Sequence, residues 1–117
     1  HTFAHALESG TGYSHWLHGE AVAIGMHMAA SFAQQSGLIE RNCVLRQQHL
    51  LQRLGFDFTL PPSLSAEQLT AAMLLDKKAD QGGITLVLPR AIGEAVIAPG
   101  YDSAGLQTHF QQHHDTH

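Results

Sequence analysis

Three histidines near the start of the chain are spaced as metal ligands can be. His1 and His5 lie four residues apart, and His18 follows after a short glycine-containing segment. Side chains four residues apart share one face of a helix, and imidazole is a common zinc ligand. A chain with ten histidines also contains such a pair by chance. Spacing alone therefore leaves two interpretations open, a metal site and an incidental pair.

The three histidines are too few for a complete site of the usual kind. A structural zinc site has four protein ligands, and a catalytic site has three and an open position. The chain begins on His1 rather than on methionine. We therefore expect it to be part of a longer protein whose upstream portion supplies at least one further ligand.

The composition is that of one globular domain. The chain has 117 residues, 44% hydrophobic and 14% charged, which is enough to bury one core but short for an enzyme with its own cofactor fold. No stretch approaches the roughly 20 apolar residues that span a bilayer. A formal charge of −4 without a basic cluster argues against nucleic acid as a partner. The single cysteine, Cys43, fits a reducing cytoplasm, where we expect the protein to function.

Helix signals dominate the first half of the chain. Residues 1 to 9 are predicted to end a helix that stops at the following glycines, and the next helix is predicted to begin near His18. A third, amphipathic helix is predicted from Arg41 to Leu54, between Gly37 and Gly55. Its apolar residues are Val44, Leu45, Leu50, Leu51 and Leu54. The second helix is predicted to form the core through residues at three- and four-residue steps: Val22, Gly25, Met26, Ala29, Phe32 and Ala33.

The second half adds one small β element. The segment from Ser65 to Gln68 has the capping-box form and predicts a helix from about Ala66 to Leu75. An apolar, β-branched run at 84–88 predicts a strand that ends before Pro89 and pairs with residues near 95–98. A last helix is predicted to begin near 102–103 and to reach Phe110, with residues 111–117 fraying. The predicted fold class is mainly α, a single domain over residues 1–117 with one β-hairpin.

The wider sequence resembles a known enzyme family. The segments 1–8, 17–26, 73–78 and 86–93 read HTFAHALE, LHGEAVAIGM, MLLDKK and LVLPRAIG. The sequences of these segments, and their order along the chain, are similar to those of the 3-dehydroquinate synthases of the shikimate pathway. The resemblance spans about residues 1–100. One departure is Ala4, where the family's first block has Gly.

The resemblance implies a role for each residue of the constellation. The chain would be the helical C-terminal domain of a two-domain enzyme, and the NAD-binding N-terminal domain would lie upstream. His1 and His18 correspond to two ligands of Zn²⁺ or Co²⁺, and the third ligand is an upstream glutamate. His5 corresponds to a catalytic histidine that contacts the substrate, as His18 also would. Lys77, rather than Lys78, corresponds to a substrate-binding lysine.

The implied substrate is a small sugar phosphate, 3-deoxy-D-arabino-heptulosonate 7-phosphate, which the family converts to 3-dehydroquinate and phosphate with NAD and a metal ion. The 117 residues alone are expected to be inactive, because they lack the cofactor domain. For the isolated 117 residues we expect a homo-oligomer, a dimer, because helices that pack against the absent domain would expose an apolar face. Three alternatives stay open: a related cyclase forming inosose or valiolone rings, a metal-dependent glycerol dehydrogenase, and a stand-alone helical metal-binding module.

Other polar residues near the constellation carry weaker expectations. Glu8 and Glu20 fit two roles equally, a contact with the far side of a metal-binding imidazole that orients its ring, and a solvated salt bridge. His15 is expected in a loop, His27 on a polar face of the core helix, and Trp16 over the core.

Cys43 is expected to be a small buried hydrophobe rather than a nucleophile. The C-terminal histidines are expected to bind metal incidentally at most, without a function; these are His113, His114 and His117.

Overall fold

The computed structural model describes residues 2–12, 15–77, 84–91, 93–101 and 103–116, and at residues 74–77, 84–85 and 98–100 it describes the backbone alone. The chain order of the elements is α1 (Thr2–Gly10), α2 (His18–Gln35), α3 (Arg41–Arg53), α4 (Ala66–Lys77), β1 (Ile84–Ala91), β2 (Glu94–Tyr101) and α5 (Ser103–Thr116). The predicted fold class, mainly α with one hairpin, is confirmed.

The first two helices are in close contact because one of them lacks a side chain at the contact. A Cβ atom on Gly25 of α2 would lie 2.9 Å from the backbone nitrogen of Ala4 and 3.3 Å from its Cα atom. The distance between packed helices depends on the side chains at the contact, so glycine permits this approach. Ala4 is near Gly25 and Glu8 is near His18, which shows that α1 and α2 run antiparallel.

Helix α2 is buried on more sides than its periodicity predicted. Gly25, Phe32 and Ala33 are buried as expected, but Met26 is 44% exposed, so its assignment to the core was wrong. The buried set instead includes Ile24, Met28 and the unexpected His27. A helix rich in alanine and glycine is apolar on several faces, and periodicity alone does not show which of them meets the core.

The helix ends follow the predicted glycines. Gly37 and Gly55 have φ angles of +76° and +94°, the left-handed conformation that glycine adopts without steric cost after a helix. Helix α3 lies between them. Its apolar run is buried at Val44 and Leu51, as predicted, but Leu50 and Leu54 are 60% and 66% exposed, so the prediction was wrong for these two residues.

The capping box before α4 is present as predicted. The backbone N–H of Ser65 donates to Oε1 of Gln68 at 2.8 Å, and the backbone N–H of Gln68 donates to Oγ of Ser65 at 3.1 Å. The helix continues two residues beyond the predicted end at Leu75, to Lys77.

The hairpin is longer than predicted. Its strands are antiparallel and place Leu86 opposite Ala98 and Leu88 opposite Val96. Leu86 and Leu88 are buried against the helices, as the alternation of a half-buried strand requires. Strand β1 extends through Pro89 to Ala91. A two-stranded sheet consists of edge strands only, where the missing N–H of proline is tolerated.

Helix α5 also exceeds its predicted length and reaches Thr116. The prediction that this segment frays was wrong, because polar side chains attach it to the body of the fold. Nε2 of His113 lies 2.8 Å from the carbonyl oxygen of Phe58, and the ring of His114 contacts the carbonyl oxygen of Leu64. Gln112 accepts a hydrogen bond from Gln35.

Candidate metal and substrate site

The described part of the expected site centres on His18 and Glu8. His18 is the first residue of α2, and Glu8 lies near the end of α1. The ring nitrogen Nδ1 of His18 is 3.2 Å from Oε1 and 3.3 Å from Oε2 of Glu8. The side chain of His18 is 62% exposed and that of Glu8 only 14%. A largely buried carboxylate therefore supports an imidazole that faces solvent.

The connection between the two helices positions this pair. The hydroxyl group of Thr11 donates to the carbonyl oxygens of Leu7 and Glu8 at the end of α1. At the start of α2, the backbone N–H of Leu17 donates to Oε1 of Glu20 at 2.8 Å. Leucine has no oxygen to return this bond, so Glu20 supplies half of a capping box. Of the two roles considered for Glu20, neither describes this contact; the side chain caps the helix.

The other predicted histidines are only partly described. His5 is exposed on α1, three residues before Glu8, so the two side chains lie on the same side of this helix. His1 lies outside the described residues. The convergence of His1 and His18 on one metal ion therefore stays a prediction.

The predicted lysine lies at the end of α4. Lys77 is the last residue of that helix, and its side chain, like the whole of Lys78, is outside the described part of the chain. Contact of Lys77 with substrate stays a prediction as well.

Within the residues that the structure describes, no three His, Cys, Asp or Glu side chains are grouped so as to hold a metal ion. The expected site takes only two ligands from this chain, His1 and His18, and His1 lies outside the described residues. The described residues therefore contain only one of the expected ligands. No described helix is long and apolar enough to cross a membrane.

Comparison with known proteins identifies the family. Residues 1–79 match the family described as 3-dehydroquinate synthase C-terminal. The 3-dehydroquinate synthase of Nitrosococcus oceani is 45% identical over 103 residues, which cover 88% of this chain and 29% of that protein. The chain belongs to the 3-dehydroquinate synthase family. It spans less than a third of the length of this relative.

Solved structures of two cyclases share the fold of this chain. A 2-deoxy-scyllo-inosose synthase complexed with carbaglucose-6-phosphate, NAD⁺ and Co²⁺ superposes with a TM-score of 0.82 at 21% identity, over 96% of this chain and 32% of that chain. The 2-epi-5-epi-valiolone synthase of Streptomyces hygroscopicus with NAD⁺ and Zn²⁺ bound gives a TM-score of 0.80 at 24% identity, over 98% and 32% of the two chains. Both confirm the fold.

Three further histidines form a buried histidine cluster, made of His27, His109 and His113. The ring of His27 stacks on Phe58 with centroids 4.4 Å apart, and its centroid is 5.8 Å from that of His113. His109 meets the ring of Phe32 edge-on at 5.3 Å. These histidines are part of the core, so the expectation of a polar face for His27 was wrong.

The C-terminal histidines also differ from expectation. His113 and His114 anchor α5 to the segment before α4, so they have a structural role rather than none, and His117 lies outside the described residues. Trp16 is partly buried against the core, as predicted, with His15 edge-on to its ring at 4.7 Å. Cys43 is half-buried, so its assignment as a buried residue was correct only in part.

Proposed function

We propose that this chain is the metal- and substrate-binding C-terminal domain, over residues 1–117, of a 3-dehydroquinate synthase. The whole enzyme would convert 3-deoxy-D-arabino-heptulosonate 7-phosphate to 3-dehydroquinate and phosphate, as a lyase of aromatic amino acid biosynthesis. The observation that carries this proposal is the contact between His18 and Glu8, because both residues belong to the family's histidine blocks. A carboxylate behind an imidazole is also the usual support of a metal-binding histidine.

The residues present fit a divalent cation. His18 offers an exposed imidazole whose Nδ1 faces a carboxylate, and His1 would be the second ligand from this chain. The third ligand and NAD would come from the upstream part of the protein. Two cyclases of the same fold contain NAD⁺ together with Co²⁺ or Zn²⁺, which supports these cofactors here. When bound, such a cation favours an alkoxide over the hydroxyl group and polarises a ketone.

The chain's own residues would bind substrate and move protons. An imidazole changes charge near neutral pH, so the exposed His5 is suited to proton transfer or to a hydrogen bond with the departing phosphate. Lys77 would supply a positive charge for the carboxylate or phosphate group of the substrate. Both groups lie on helices of the domain, so the helix packing determines where they meet the substrate.

The proposal is tested on the full-length enzyme with NAD, zinc and the heptulosonate phosphate. We expect release of phosphate and dehydroquinate. His18→Ala should lower metal affinity by more than about 100-fold and abolish turnover, because one ligand of a three-ligand site is lost. His49→Ala changes an exposed histidine of α3 and should retain the metal content and activity of the parent. Unchanged zinc content in His18→Ala would show that the assignment is wrong.

A sister cyclase is the second candidate, and the fold similarity to the inosose and valiolone synthases supports it. Turnover of sedoheptulose 7-phosphate, with none of the heptulosonate phosphate, would favour this candidate. The stand-alone module is excluded if an upstream nucleotide-binding domain is found in the same reading frame. Dehydroquinate formation by the 117 residues alone would contradict the proposed division of the site.

The assembly and the location of the enzyme are also proposals. The hairpin exposes Val87 and Ile97, at 63% and 74%, from opposite strands of one pair. Together with Met26 they leave apolar surface on the domain that we propose is covered in a homodimeric enzyme. The single cysteine is consistent with a cytoplasmic enzyme.

A further inference from the structure

The carboxylate of Glu8 differs from an ordinary surface ion-pair partner. Both of its oxygens lie within 3.3 Å of the same ring nitrogen of His18, although its side chain is only 14% exposed. The pair between Arg90 and Glu94 on the hairpin provides a contrast. Its closest atoms are 3.9 Å apart, with side chains 61% and 55% exposed, which is the geometry of a solvated pair with little energetic value.

Glu8 is also held in place from both sides. Its helix is in backbone contact with α2 at Gly25, and its own carbonyl oxygen accepts a hydrogen bond from Thr11 at 3.1 Å. These contacts fix the backbone from which the Glu8 side chain extends toward His18. The Glu8 side chain is mostly buried whereas that of His18 is mostly exposed, so the ring is the less confined partner and turns to the orientation that the carboxylate favours.

We infer that Glu8 is a positioning residue that selects the tautomer and the orientation of His18. A carboxylate accepts hydrogen bonds but cannot donate one, so it favours the imidazole tautomer in which Nδ1–H donates to it. In that tautomer the lone pair is on Nε2, the atom that would bind a cation. This inference rests on the proposed function only in taking His18 as a metal ligand.

The first test measures metal affinity in the full-length enzyme by competition with a chelator, with zinc as the probe. Glu8→Ala should weaken zinc binding by about 10- to 100-fold. Glu8→Gln keeps an acceptor oxygen of the same reach, so we expect a smaller loss. Glu20→Gln is the matched control, because it removes a carboxylate two residues from His18 and leaves a side chain that can still cap α2. It should stay within about 2-fold of the parent.

The second test observes the tautomer without any metal. In the metal-free, ¹⁵N-histidine-labelled enzyme, the His18 resonances, assigned by their loss in His18→Gln, should show hydrogen on Nδ1. In Glu8→Ala the Nε2–H tautomer should become substantially populated, and in Glu8→Gln the original tautomer should be at least partly kept. A change in folding alone does not move a tautomer in this selective way.

The outcomes separate the two proposals. If Glu8→Ala and Glu8→Gln leave both zinc affinity and tautomer unchanged while His18→Ala loses zinc, the positioning role is wrong and the metal site stands. If His18→Ala retains zinc, the proposed function fails whatever Glu8 does. If Glu8→Ala does not fold, Glu8→Gln decides through its zinc affinity, and an affinity equal to that of the parent overturns the inference.

Discussion

Two groups of histidines in this chain have opposite surroundings. His18 is the first residue of α2, 62% exposed, with a carboxylate behind its ring. His27, on the same helix, is 4% exposed and stacks on Phe58. The residue type is the same and the positions are nine residues apart. The neighbouring element therefore distinguishes the candidate ligand from the core residue. His18 lies beside Glu8 of α1, whereas His27 lies beside His113 of α5, a member of the buried histidine cluster.

The surroundings also decide the charge. Burial of His109, with a further electrostatic contribution from His113, lowers the pKa of His109 from 6.5 to about 4. The neutral ring is therefore the form that the fold stabilises. A histidine held neutral among aromatic rings contributes to packing, whereas one beside a carboxylate at the surface is available for chemistry.

The contrast between buried and exposed histidines predicts a loss of stability in acid, and this is the largest effect that we expect. The unfolded chain binds a proton at His109 near pH 6.5 and the folded chain only near pH 4. The unfolded state is therefore favoured progressively as the pH falls from 6.5 to 4, and stability is fully retained above 6.5. The difference amounts to about 3 kcal/mol in the free energy of unfolding. Chemical denaturation at several pH values measures it.

Two variants make the acid experiment specific. His109→Leu should flatten the stability profile between pH 6.5 and 4, because the titrating group is gone. His49→Gln, at an exposed position of α3, should leave the slope as it is. A profile that keeps its full slope in His109→Leu would show that other groups account for the acid sensitivity.

A smaller effect is expected where α1 and α2 meet, because this contact supports the exposed pair. Gly25→Ala places a methyl group 2.9 Å from the backbone nitrogen of Ala4, and overpacking of this kind costs about 2 kcal/mol. Thermal or chemical unfolding would measure the loss. In the full-length enzyme we also expect weaker zinc binding, because Glu8 moves with α1.

The control for this change is Gly19→Ala. A Cβ at Gly19 meets nothing within 4 Å, and alanine is favoured over glycine within a helix. We expect unchanged or slightly higher stability. Equal destabilisation by both substitutions would mean that the close contact at Gly25 is unimportant.

The smallest effect concerns the anchoring of α5. His113→Phe keeps an aromatic ring but leaves the carbonyl oxygen of Phe58 without this donor, at a cost of about 1 kcal/mol. His114→Phe, at a half-buried position, should cost less. Amide hydrogen exchange in residues 111–116 would show whether the end of α5 opens more often in His113→Phe. If amide exchange and stability are unchanged in His113→Phe, the length of α5 depends on its packing against other helices and not on this hydrogen bond.

Local signals predicted the helix boundaries well. The capping box at Ser65, the glycines at 37 and 55, and the start of α2 at His18 all depend on interactions within a few residues. Of the elements that exceeded their predicted length, α5 and β1 did so for reasons that are not local. Helix α5 is extended by contacts with residues about fifty positions away. Strand β1 continues through Pro89 because the described part of the chain adds no further strand to the hairpin, so β1 is an edge strand and tolerates proline.

The candidate site was predicted less completely than the fold. The histidine blocks led to the family, which the comparisons confirm. The choice between the two roles of Glu8 stayed open, although its place three residues after His5, on the same side of α1, was a signal. The contact with His18 forms only when two antiparallel helices are packed together.

The sequence by itself determined the family, the number of elements and most of their ends, because motifs, caps and turns depend on neighbours along the chain. Only the tertiary structure decided which histidines are buried, which side of α2 meets the core, and which carboxylate stands behind His18. These properties depend on distances between segments that are remote in sequence, and no local pattern of residue types records such distances.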